Sequence, residues 1–381
     1  PQIYIGGTAN FPGGQYSQIA VLAGQKLAGI YTFVNLAMSL AISMYTLSFA
    51  DYFLALVPGV NVKLLSFIVL TALFGMHLFG IKQAARLQNI LCVVLAVAIG
   101  AYVAFGIGHI QPDYMAPDQF MAGGITGFLL AAVYLNFACG GATYVVNFSS
   151  QAKNPTKDIP FVIIVSTGAI VVLYAVMSTI AAGVLPVSEV ANQPLSVSAA
   201  VFMPGPVYTF FVVGGAIFAL LTTLNFSIGM MTYPALRACK DGWLPKGLAT
   251  CNKKFGTPHW ILLAFYLIGL VPILVGLDLT TVANSTVILT TAIRGVIAYA
   301  ALRLPKIMPE LWSQSKFHVS DKALKVVCGL TLVITIISIV LLLVSTAPVQ
   351  ILGNCCILAL AVVLAFARNR HVKLEANYTA K

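Results

Sequence analysis

Residues Phe137-Ala138-Cys139-Gly140-Gly141 interrupt an apolar helical run that extends over 124–160 and closes at Lys153-Asn154-Pro155. Paired glycines weaken a helix, because glycine loses the most backbone freedom when it is fixed. Within a bilayer the freed N–H and C=O groups find no water, so a break persists only where protein or a water-filled cavity receives them. The chemistry on offer is that of backbone atoms. A half-helix N-terminus presents N–H groups and a positive dipole end to an anion, and a C-terminus presents carbonyls to a cation. The same glycines also fit a kink that lets neighbouring helices approach closely.

Other polar residues stand inside apolar stretches. Ser39 and Ser43 lie four apart on one helix face, though such serines commonly bond their own helix carbonyls. Thr222, Thr223, Asn225 and Ser227 form a second cluster, and Arg294 is the one basic residue deep within an apolar span. Intramembrane charges mark functional sites. Arg294 also stands eight residues from Leu302, close enough to snorkel toward a surface. His77 and His109 have no evident partner and read as structural. No carboxylate pair and no Cys/His pair occurs within the spans, so the paired groups of an intramembrane enzyme are missing. Cys92, Cys139, Cys328, Cys355 and Cys356 sit in apolar runs as small hydrophobes. Cys239 and Cys251 fall in a basic stretch that lacks metal-ligand spacing, so neither a metal nor another cofactor is expected.

The elements that position these residues follow from hydropathy. Of 381 residues 60% are hydrophobic and 8% charged, with a mean hydropathy of +0.96, against roughly 25% charged residues in soluble domains. The chain reads as an all-α integral membrane protein, since a barrel would show short alternating segments. Ten spans are expected near 27–53, 62–80, 88–110, 124–150, 160–185, 207–237, 259–276, 279–302, 324–343 and 349–367. With ten spans the connectors alternate between two sides. One side collects Lys26, Lys82, Arg86, Lys153, Lys157, Arg237, Lys240, Lys246, Lys253, Lys254, Arg303, Lys306, Lys316, Lys322 and Lys325, with Arg368, Arg370, Lys373 and Lys381 in the tail. The other holds Lys63, Asp51, Asp113, Asp118, Glu189 and Asp278. Lys and Arg accumulate in cytoplasmic loops, so the first side and the C-terminus are expected inside. The net charge of +11 is then a matter of topology and calls for no nucleic acid. The chain starts at Pro1, carries no signal-peptide pattern, and reads as N-terminally truncated.

Three motifs resemble one family; in chain order the first begins at Pro12, the second at Phe137 and the third at Tyr233. Phe137-Ala-Cys-Gly-Gly-Ala-Thr-Tyr-Val-Val-Asn-Phe, with Lys153-Asn154-Pro155 and Ile159-Pro160, looks like the sixth helix of amino acid permeases of the amino acid–polyamine–organocation superfamily, nearest to L-type-like bacterial members. Pro12-Gly13-Gly14-Gln15-Tyr16 is similar to the glycine-rich end of the family's second helix. Tyr233-Pro-Ala-Leu-Arg237-Ala-Cys-Lys240-Asp241-Gly242-Trp243-Leu244-Pro245, followed by Thr257-Pro258, resembles the loop after its eighth. The likeness covers nearly the whole chain and implies a single permease domain with a leucine-transporter-like inverted-repeat fold. Residues 1–26 would be the end of helix 2 and an inner loop, 27–110 the rest of the first repeat, 124–302 the second repeat, and 324–381 the last two helices and a cytoplasmic tail. Helix 1 and most of helix 2 would be missing.

The resemblance implies a multi-pass transporter of the plasma (inner) membrane that moves amino acids by alternating access. It implies a substrate held at the sixth-helix break by Phe137, Ala138, Cys139, Gly140 and Gly141, bordered by Ser39 and Ser43, with Phe137 as an aromatic gate. Thr222, Thr223, Asn225 and Arg294 are candidate ion or coupling residues. A lysine of the family's fifth helix falls near Leu95 here, the acids after the break become Ser150 and Gln151, and the usual arginine at the start of the eighth-helix motif is Tyr233. Partners are therefore an amino acid, the bilayer and a coupling proton or sodium ion, with exchange and symport both open. Small or neutral substrates are expected, because no acid lies in the central spans. The alternative function is a non-transporting membrane sensor or degenerate homologue on the same fold.

Overall fold

A computed structural model describes residues 1–54, 56–116, 120–191, 193–277, 279–375 and 377–379, without the side chains of 81–84. The side chain of Lys82 and residues Asp118, Asp278 and Lys381 therefore lie outside the described residues. Two short helices, α1 (Gln2–Thr8) and α2 (Gln15–Leu22), precede ten longer ones. These are α3 (Gln25–Leu54), α4 (Val62–Leu78), α5 (Ile81–Gly106), α6 (Gly124–Cys139), α7 (Pro155–Val184), α8 (Gly205–Asp241), α9 (His259–Val275), α10 (Leu279–Leu302), α11 (Asp321–Ser345) and α12 (Pro348–Arg368). Among the described residues there is no strand, only an isolated antiparallel bridge between Asn10 and Thr379.

Every expected span is a helix. Eight of them are long and apolar enough to cross a membrane, counting α6 together with its continuation to Gln151. The other two, α4 and α9, have 17 residues each. At 1.5 Å per residue that is about 26 Å, the short end of spanning length. Outward faces are apolar as well: Val97, Ile125, Val172 and Ile336 are all exposed, as expected of helices bathed in lipid.

Two ends differ from expectation for local reasons. Helix α7 begins at Pro155 rather than Pro160. Proline suits a first helical position, where its missing N–H has no partner to lose, and Asp158 accepts from the Asn154 N–H at 3.0 Å. Helix α8 runs on to Asp241 and stops at Gly242, whose φ of 96° is left-handed. Cys239, expected in a loop, is thus buried in the last turn of α8.

The main core gathers around Tyr16, Trp243 and Phe265, all fully buried, between α2, α3, α8, α9, α10 and α12. At Gly29 of α3 an added Cβ would stand 2.4 Å from the Trp243 ring, so only glycine lets the indole close over that helix.

The first and third motifs meet at the same end of the bundle as the tail. Tyr16 donates to Asp241 at 2.6 Å, and Asn377 of the tail donates to the same carboxylate at 3.1 Å. Arg237 donates to Asn377 at 2.6 Å and lies 3.7 Å from Asp241. The Asp241 side chain has no exposure, which buried charges tolerate only when fully bonded. Gly14, at φ 59°, presses against Asn147: a Cβ there would meet its Oδ1 at 2.2 Å. Asn147 accepts from the Gln15 N–H at 2.9 Å and donates to the Met230 carbonyl at 3.0 Å. Ser149 donates to the Phe11 carbonyl. The second motif is therefore pinned at its far end by the first.

Candidate functional site

Helix α6 does not open at its glycines. The chain stays helical through Gly140, with φ −79° and ψ −4°, but the hydrogen bonding changes. Residues Gly140–Gln151 form a 12-residue 3-10 helix, where runs beyond three or four residues are uncommon. The expected break is thus a tightening rather than an unwinding. The residues explain it: two glycines and then Thr143, Val145 and Val146 are poor α-formers. The anchors at Asn147 and Ser149 hold the far end, and the larger rise of a 3-10 helix spans the distance.

The change of ladder has a local result. The Gly140 N–H bonds to the Phe137 carbonyl, three residues back, and so passes over the Asn136 carbonyl. That oxygen accepts instead from Arg294 Nη2 of α10 at 3.1 Å, and the Asn136 side-chain oxygen accepts from Nη1. An added Cβ at Gly140 would stand 1.9 Å from Nη2. The guanidinium therefore lies on the glycine itself. Arg294 turns toward α6 and does not snorkel outward.

Beside this contact lies a cavity of about 680 Å³, within the ~300–1,000 Å³ usual for small-molecule sites. Asn136, Cys139 and Gly140 supply its α6 wall, Tyr174 and Ser178 come from α7, and Arg294 comes from α10. Thr143 and Tyr144 continue the wall along the 3-10 segment. Thr143 donates to the Gly140 carbonyl at 2.7 Å.

The expected site residues divide accordingly. Cys139, Gly140 and Arg294 come together on the cavity wall. Phe137 is half-buried in a cluster with Val133, Val287, Ile288 and Leu342, and neither it nor Ala138 nor Gly141 lines the cavity. A Cβ at Gly141 would meet nothing within 4 Å, so close approach constrains the first glycine and not the second. Ser39 and Ser43 are fully buried and donate to their own helix, to Leu36 at 2.7 Å and Leu40 at 2.6 Å. Thr222 and Thr223 both donate to the Ala219 carbonyl at 2.8 Å. Asn225 donates to Gln88 of α5 at 2.8 Å. Among the described residues, none of these lines the cavity. Asn136, Tyr174 and Ser178 do, and sequence reasoning missed them. Only Asn136 left a signal, as a polar residue one position before the recognised motif.

A family profile described as "Amino acid permease" matches residues 4–380. A methylthioribose transporter of Bacillus subtilis is 26% identical over 324 residues, covering 78% of this chain and 68% of its own length. A branched-chain amino acid permease of the same organism is 25% identical, covering 71% of this chain and 62% of its own. A vacuolar cationic amino acid transporter of Arabidopsis thaliana is also 25% identical, over 63% of this chain and 42% of the relative. The chain thus spans about two thirds or less of the length of these relatives. Among solved structures, a mutant manganese transporter of Eremococcus coleocola aligns over 97% of this chain and 94% of its own, at 13% identity and a TM-score of 0.42.

Proposed function

Since the chain belongs to the amino acid permease family, we propose that it is a secondary transporter that binds a small or neutral amino acid in the cavity beside Gly140 and moves it by alternating access. One observation carries this reading: the ladder change in α6 lies on the wall of a largely apolar cavity into which a few polar groups are set. A zwitterion needs donors for its carboxylate and acceptors for its ammonium. The guanidinium of Arg294 and the hydroxyls of Tyr174 and Ser178 offer both around one space. A 3-10 segment inside a long helix is also a natural hinge, and its two ends are tied to different elements, to α10 through Asn136 and to the first motif through Asn147.

The protein is a multi-pass membrane protein. Its position in the plasma (inner) membrane, the inverted-repeat division with 27–110 as the rest of the first repeat and 124–302 as the second, and the inside placement of the tail belong to the same proposal. So does coupling to a proton or sodium ion through Thr222, Thr223 and Asn225. The Lys/Arg asymmetry supports the orientation, and the order of the helices supports the repeats. Phe137, one turn ahead of Gly140 and Gly141, is retained as the proposed gate. The reading is of a carrier and not of an enzyme.

Reconstitution decides it. The full chain in proteoliposomes should accumulate labelled alanine or leucine, and unlabelled amino acid should compete. Binding without uptake would point to a sensor, and neither binding nor uptake would remove the amino acid reading.

A further inference from the structure

We propose that a groove between α4 and α9 holds one anionic phospholipid, with an acyl chain in the groove and the phosphate at Lys253 and Lys254 by its mouth. The groove measures about 360 Å³ and shares no residue with the cavity beside Gly140. The two helices run antiparallel along it. Thr71 meets Tyr266 at 3.0 Å, and Thr257, just before α9, donates to the Leu78 carbonyl at 3.0 Å. Those two contacts mark the ends of the groove, about two helical turns or about 10 Å apart. That is about two thirds of one leaflet of a ~30 Å hydrocarbon core. It suits an acyl chain entering from the surface and is too short to seat a second spanning helix.

Gly75 keeps the groove open. A Cβ added there would meet nothing within 4 Å, so a notch remains in α4 that a larger residue would fill. Glycine inside a helix weakens it, and no neighbouring side chain takes up the space. Leu78, Trp260 and Leu263 on the walls are exposed on the outside of the bundle, so the open side faces hydrocarbon.

The mouth supplies the charge. The turn over 252–257 is fixed against the end of α4, Thr257 by its bond to Leu78 and Phe255 by an edge-on contact with Phe79, ring centroids 5.5 Å apart. That turn carries Lys253 and Lys254, both exposed, and no acid occurs from Asn252 to Tyr266. Lys254 Nζ lies 5.2 Å from the centre of the Phe255 ring, which places a cation beside the mouth. Among the described residues neither lysine has an ion-pair partner. Phe79 and Trp260 are exposed, and the indole is of the kind that collects at headgroup level. The N-terminus of α9 adds its positive dipole end at the same place. A basic site between helices at the membrane surface recognises an anionic headgroup, and each lysine there favours one about fivefold. In a zwitterionic headgroup the attached cation offsets that attraction.

Tryptophan fluorescence tests the assignment. Of the three tryptophans, Trp243 and Trp312 are buried, so Trp260 on the groove wall is the one open to a quencher in the lipid. The full chain is placed in phosphatidylcholine nanodiscs with increasing amounts of lipid brominated on its chains. Brominated phosphatidylglycerol should reach half-maximal quenching at a mole fraction at least tenfold lower than brominated phosphatidylcholine. Lys253→Gln with Lys254→Gln should bring the two lipids within twofold of each other. Gly75→Leu, which fills the notch, should weaken the phosphatidylglycerol effect at least fivefold. Equal quenching by both lipids in the wild type would mean ordinary boundary lipid and overturns the site. Quenching by neither would mean that another protein surface covers the groove, and overturns it too. A preference that survives the loss of both lysines, or the filling of the notch, overturns it as well. Should Gly75→Leu not fold, the double glutamine variant, altered only at exposed positions, still decides.

Discussion

Arg294 of α10 donates at 3.1 Å to the main-chain carbonyl of Asn136, the oxygen that α6 passes over when it tightens at Gly140. A change of helix type in one span is thereby read by a charged side chain in another. Loosening the 3-10 turn would return the Asn136 carbonyl to its own helix and release the guanidinium. The geometry of α6 and the position of a fixed charge are one variable.

The two glycines should differ. Gly140→Ala drives a methyl into the tip of the Arg294 side chain, which is flexible enough to move aside, so the change should push the guanidinium off Asn136 at little cost in stability. It should cut amino acid binding at least tenfold. Gly141→Ala meets open space and should leave binding within twofold of wild type. Binding titrations with thermal melts of both variants check this; equal losses would show that the pair acts through helix flexibility.

Phe137→Ala tests packing against gating. The ring sits half-buried among Val133, Val287, Ile288 and Leu342, so truncation should cost stability, below the ~3–5 kcal/mol of a fully buried Phe. A gate adds a second signature: turnover in proteoliposomes falls more than binding affinity does. Transport per folded molecule that stays unchanged would leave packing as the role of Phe137.

The buried contact at the far end of the bundle should be dominated by Asp241. Asp241→Ala leaves Arg237 and Tyr16 facing an emptied site and should cost about 3–5 kcal/mol. Tyr16→Phe removes one charge-assisted hydrogen bond, about 1.5–3 kcal/mol. Burial first, and then the bond to Asp241, push the Tyr16 phenol above its ordinary value of 10.0. The folded state thus keeps the proton that the unfolded chain releases from about pH 10 upward, so this stabilisation is full below that pH and declines above it. Melting curves from pH 8 to 11 should show the decline in the wild type and less of it in Tyr16→Phe.

Orientation follows from charge. Cysteines placed at Asp113 and Lys253 in a Cys-less background should react with an impermeant reagent from opposite sides, position 113 from outside. Labelling of both on intact cells would overturn the topology.

Much of the architecture was legible because the bilayer enforces it. Apolar length marked all ten helices but not their ends: α7 starts at Pro155 and α8 runs on to Asp241, both beyond the expected bounds. The site was legible only in part. Gly140-Gly141 signalled a weak point in α6, but glycine says only that the α-form is disfavoured, not whether the chain opens or tightens. That outcome was set by anchors 132 residues away in sequence, where Asn147 meets Gln15. Arg294 could face either way until the carbonyl it bonds was known. Ser39 and Ser43 looked like site residues by spacing, yet local bonds to their own helix satisfy them, and spacing does not reveal that competition. The first and third motifs identified the family while building the contact around Asp241, not the cavity.

The two shortest spans stand side by side. Helices α4 and α9 are tied by the Thr71 and Tyr266 hydroxyls at 3.0 Å and by the Phe74 and Tyr266 rings, 5.5 Å apart. On that flank the hydrophobic belt is about 26 Å tall, while the hydrocarbon around it is ~30 Å thick. A shortfall of about 4 Å costs fractions of a kcal/mol per Å, and the bilayer meets it by thinning. A bilayer of that thickness has to thin further along α4 and α9 than along the longer helices.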